Sequence, residues 1–68
     1  MRTATVYLDR TARGWRYRVR AGNGEIIATS EGYTRRASAV RAVRANHPDV
    51  SSILVLNRAG DLWRTIVR

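Results

Sequence analysis

Three arginines alternate with three apolar residues in Trp15-Arg16-Tyr17-Arg18-Val19-Arg20. Successive side chains of an extended chain point to opposite faces. Arg16, Arg18 and Arg20 therefore form a row of guanidiniums ~7 Å apart, and Trp15, Tyr17 and Val19 form the reverse side. Such a row suits the phosphate oxygens of a nucleic-acid backbone, which are held by charge and carry no base identity. The ordinary use of the same pattern is a solvated face whose charges pair with Glu25, Glu31 or a second chain. Arg35, Arg41 and Arg44 supply a further basic group on a predicted helix, away from its Ala39/Val40/Val43 side.

Catalytic chemistry finds few carriers. His47, the single histidine, lies in a predicted loop between Asn46 and Pro48, and Ser51 and Ser52 sit in no nucleophile-elbow pattern. The five carboxylates, Asp9, Glu25, Glu31, Asp49 and Asp61, fall at strand ends and turns, where water solvates them. Gly22-Asn23-Gly24 precedes a strand, so it lacks the helix N-terminus that a phosphate loop needs. With no cysteine and no Cys/His cluster, neither a disulfide nor a metal is expected, and no cofactor motif is present. Trp15, Tyr17 and Trp63 could stack on nucleobases. In a chain without phenylalanine they are expected in the core instead.

The elements that would position these groups follow from periodicity. Residues 3–9 alternate with β-branched enrichment, residues 15–20 alternate throughout, and residues 25–30 return after an Asn-Gly turn of the kind that closes hairpins. Thr34 is placed to cap a helix over residues 35–46, which Pro48 limits. Residues 52–57 form a continuous apolar run, as in a strand covered on both faces, and residues 62–68 form the last strand. The order is βββαββ. The expected class is α+β: a small antiparallel sheet with one helix on the Trp15/Tyr17/Val19 face.

Residues 14–39 carry a resemblance. Trp15 to Val19, Asn23-Gly24, Ile27-Ala28, Ser30, Gly32-Tyr33 and Ala37-Ser38-Ala39 closely resemble the YegP-like family, small domains of bacteria and archaea with no established role. The resemblance implies a fold and no activity. It also implies a longer helix than residues 35–46 provide, and a unit that often occurs twice in tandem. Residues 6–20 align without gaps to residues 54–68, pairing Leu8 with Leu56, Trp15 with Trp63, Arg16 with Arg64 and Val19 with Val67. The chain thus reads as one domain over residues 1–68, with a βββα unit at 3–47 and a repeat-like hairpin at 52–68. Chance similarity of two basic hairpins is the competing explanation.

Sixty-eight residues bury only ~60% of the unfolded surface, so a core this small wants support, and homodimerisation is the form left open. Ile66 stands where the first hairpin has Arg18; with Leu54 and Leu62 it forms the expected dimer interface. Net charge is +8, with thirteen arginines and no lysine. The absence of lysine points to a GC-rich genome, bacterial or phage. The excess of positive charge is not explained by that bias and draws polyanions. No segment is apolar enough to span a bilayer or to act as a signal peptide, so a cytoplasmic protein without membrane association is expected. The reading is a non-enzymatic basic module binding nucleic acid through Arg16, Arg18, Arg20, Arg35, Arg41 and Arg44. The alternative is a homodimeric protein-interaction module with incidental charge.

Overall fold

The computed structural model describes residues 1–11 and 14–67. Strands β1 (Arg2–Asp9), β2 (Gly14–Arg20) and β3 (Ile26–Thr29) precede helix α1 (Arg36–Asn46), which is followed by β4 (Val50–Leu56) and β5 (Leu62–Val67). The five strands form one sheet in the order β3-β2-β1-β4-β5, and α1 packs on one of its faces. The expected order and α+β class are those observed. Arg68, the end of the expected last strand, lies outside the described residues.

The sheet is mixed, whereas a wholly antiparallel one was expected. β1 pairs antiparallel with β2 but parallel with β4. Parallel strands cannot be joined by a tight turn. Here α1 carries the chain from the β3 edge across the sheet to the far side of β1. The parallel pairing thus follows from the helix lying between the third and fourth strands.

Alternation in the two central hairpin strands builds the core. Ala4 pairs with Val19, Val6 with Tyr17 and Leu8 with Trp15, so the apolar residues of β1 and β2 meet on the face beneath the helix. Ile53 and Val55 extend this face beside Ala4 and Val6. Ala39 and Val43, one helical turn apart, close it from α1, and all ten buried core residues are apolar or aromatic. The opposite face carries no covering layer among the described residues. Leu54 and Leu56 are accordingly half-buried, so the continuous apolar run of β4 does not mark a strand covered on both sides.

The helix starts at Arg36, one residue later than expected. Arg35 occupies the N-cap position in extended conformation without a side-chain cap bond, and Thr34 lies too early to provide one. Tyr33 is fixed instead by the backbone: Trp15 N–H donates to Tyr33 O and Tyr33 N–H to Trp15 O, both at 2.7 Å. At the far end His47 N–H donates to Val43 O at 2.8 Å, and Arg44 in the last turn favours the negative end of the dipole.

The Asn-Gly turn is a three-residue loop rather than a two-residue one. Gly24 N–H donates to Ala21 O and Ala21 N–H to Glu25 O, with Gly24 at φ +87°. The second hairpin repeats this pattern, with Gly60 N–H bonded to Asn57 O, Asn57 N–H to Asp61 O, and Gly60 at φ +91°. Glycine supplies the left-handed residue that ends such loops without a Cβ penalty.

Candidate functional site

Arg16, Arg18 and Arg20 share the open face of β2, in register with Tyr7, Thr5 and Thr3. All three are already engaged. Arg16 Nε lies 3.3 Å from Asp9 Oδ2, an ion pair without hydrogen-bond alignment. The Arg18 guanidinium sits 4.3 Å above the Tyr7 ring, and Arg20 donates to Gly24 O at 2.9 Å. The row is real, but its cations are partly occupied by the sheet and its turn.

The other basic group has a different setting. Arg41 and Arg44 line a cleft of about 560 Å³ between α1 and the β4–β5 hairpin, and Arg36 and Arg64 line it too. Arg36, Val40 and Arg44 follow the four-residue spacing that stacks side chains along one helix flank. The floor is apolar, made by Ala37, Val40, Val55 and Ile66. Trp63 forms part of the β5 wall. Arg35 is exposed at the helix start and does not line the cleft.

A β-bulge assembles that wall. Arg64 pairs with Val55 and Leu62 with Leu56, which leaves Trp63 as the extra residue. Regular alternation would send Trp63 and Arg64 to opposite faces, whereas a bulge lets neighbouring side chains project to the same side. Trp63 is 51% exposed, while Trp15 is 7% exposed. Trp63 is therefore not the core residue expected from composition. The Arg36 guanidinium lies 3.8 Å over the Trp63 ring and 5.3 Å from that of Trp15, and so bridges the two tryptophans that the sequence repeat aligns. Arg64 adds a longer contact to the Trp63 ring at 5.5 Å.

Charge distribution separates the two basic groups further. Among the described residues the ion pairs are Arg2 with Asp49 and Arg16 with Asp9. No carboxylate lines the cleft, and none of its four arginines forms an ion pair among the described residues. Four guanidiniums around one concavity repel each other and focus a positive field into it. Sequence reasoning identified Arg41 and Arg44, missed Arg36, and weighed Trp63 as a stacking residue before assigning it to the core, with no role given to Arg64. The repeat alignment did single out the last two, but gave no sign of the bulge that turns both toward the helix.

The three residues expected at a dimer interface do not all share a surface. Ile66 pairs with Ile53 beneath the helix and packs against the core. Leu54 pairs with Thr5 and Leu62 with Leu56, so these two share the open face, with Leu62 59% exposed near the β4–β5 turn. The inversion has a simple origin. Residue 6 lies beneath the helix while its repeat partner, residue 54, faces away, so the two hairpins present matching positions to opposite sides of the sheet.

Among the described residues no group of three His, Cys, Asp or Glu side chains could hold a metal ion. No described helix is long and apolar enough to cross a membrane. His47 stands at the C-terminal cap of α1 and is half-buried, with its ring edge-on to Tyr17 at a centroid distance of 5.5 Å.

Residues 11–49, spanning β2, β3 and α1, match DUF1508, a domain of unknown function. The chain belongs to the DUF1508 family. A UPF0339 protein of Treponema denticola is 40% identical over 53 residues, an alignment covering 74% of this chain and 90% of that protein. No solved structure matches the chain. Within this DUF1508 protein the family match includes the arginine row and the helical wall of the cleft. The β5 wall with Trp63 and Arg64 lies beyond it.

Proposed function

We propose that this DUF1508 protein is a non-enzymatic module that binds nucleic acid at the α1/β5 cleft, with Arg41, Arg44 and Arg64 contacting phosphates. The observation that carries the reading is a concave site with four arginines and, among the described residues, no lining carboxylate and no ion pair within it. Such a charge set is destabilising in the free protein and relieved by a polyanion. Arg35 and the β2 row extend the positive field without belonging to the cleft. Among the described residues no Asn or Gln lines the cleft to read adenine, so binding is expected to tolerate sequence.

Titration against single-stranded and duplex oligonucleotides at two salt concentrations tests the reading. Affinity is expected to fall steeply with salt, with a log-log slope of about −0.7 to −0.9 per phosphate contact. Absence of binding at low salt would reject it.

Exposed apolar groups support homodimerisation as a second, separate proposal. β5 is a sheet edge, and Leu62 and Val67 at its two ends are exposed. Pairing of two β5 edges would satisfy their free backbone groups. Sedimentation at micromolar concentration is expected to give twice the chain mass, and a stable monomer would remove this proposal.

A further inference from the structure

Resting on the nucleic-acid reading of the cleft, we infer that its ligand is single-stranded and that one base enters the cleft to stack on Trp63. The apolar floor is supplied by the core, but phosphate contacts alone do not need an exposed indole. A duplex keeps its bases stacked within the helix and offers a protein its phosphate ridges and groove edges. Such a ligand would leave Trp63, which is 51% exposed, unused. A single strand presents both parts of the matching chemistry, a chain of phosphates and planar apolar bases free to swing out.

The dimensions agree with this ligand. About 560 Å³ falls within the ~300 to 1,000 Å³ of sites that enclose small organic groups. Arg36 and Arg44 are eight residues apart on α1, or ~12 Å along its axis, so the cations extend past a single nucleotide toward its neighbours. Trp63 already accepts a planar cationic partner, since the Arg36 guanidinium lies 3.8 Å from its ring. Half of the side chain nevertheless stays exposed, which leaves surface for a second planar group. An indole left open in a chain with so few large side chains has a cost in lost burial, and base stacking supplies a compensating contact.

The test compares wild type, Trp63→Ala and Trp63→Phe against a 15-mer of deoxythymidine, a 15-mer of uridine and a 15-base-pair duplex at one ionic strength. Far-UV circular dichroism checks the fold of each variant. Wild type is expected to bind at least one single strand more tightly than the duplex. Trp63→Ala is expected to weaken single-strand binding by ~5- to 150-fold, the range of a lost base–aromatic stack, and duplex binding less than about twofold. Trp63→Phe, which keeps a ring, is expected to recover most of the loss. Equal losses on single strand and duplex, or no loss in a folded Trp63→Ala, would overturn the stacking inference while salt-dependent binding upheld the phosphate reading. Failure of the wild type to bind any of the three would overturn both.

Discussion

Trp15→Ala is expected to unfold the domain. Trp15 is 7% exposed on the helix-covered face of β2, where it pairs with Leu8. Its backbone also forms the two 2.7 Å bonds that tie Tyr33, and with it the approach to α1, to the sheet. Truncating a buried aromatic costs ~3 to 5 kcal/mol. At ~0.05 to 0.15 kcal/mol per residue, a chain of this length has a comparable total reserve. Loss of the ring also removes one of the two indoles against which Arg36 rests, so the cleft wall loses support as the core loses volume. Thermal melts followed by circular dichroism would show no cooperative transition in the variant. A variant that stays cooperatively folded and loses only ligand binding would move Trp15 from the core to the site.

Replacing Arg41, Arg44 and Arg64 together with Ala is expected to remove most nucleic-acid affinity and to flatten the salt dependence by roughly two to three log-log units, about one per phosphate contact. The fold should survive. None of the three makes an ion pair among the described residues, and the like-charge repulsion around the cleft falls when they go. The matching triple replacement of Arg16, Arg18 and Arg20 is expected to change the slope less, because those guanidiniums are held by Asp9, Tyr7 and the Gly24 carbonyl. Removing Arg16 and Arg18 also deprives Asp9 and Tyr7 of these contacts, so this variant is expected to lose some stability. The reverse order of effects on the slope would place the nucleic-acid surface on the open sheet face.

These two experiments probe features of unequal legibility. Alternation in β2 is a property of six adjacent residues, and any extended backbone separates Trp15, Tyr17 and Val19 from Arg16, Arg18 and Arg20. The element order, the hairpin glycines, the apolar side of the helix and the excess of positive charge are likewise local or compositional, and they were readable from residue types alone. The resemblance carried by residues 14–39 pointed to the same family as the match over residues 11–49.

What stayed hidden depends on which strand lies beside which. The parallel pairing of β1 with β4 sets which side of the last hairpin meets the helix, and that pairing joins residues nearly fifty positions apart. It places Val6 beneath α1 and Leu54 on the far side, although the repeat aligns them, and it buries Ile66 against the core away from Leu54. The bulge opposite Val55 and Leu56 then shifts the parity of β5 by one residue and turns Trp63 and Arg64 together toward α1. A period of two, read along one strand, cannot register an extra residue accommodated by the neighbouring strand. The residue types present thus determined the charge and a core on one face of a sheet. Only strand pairing in three dimensions gathered Arg36, Arg41, Arg44 and Arg64 with an exposed tryptophan around one cleft.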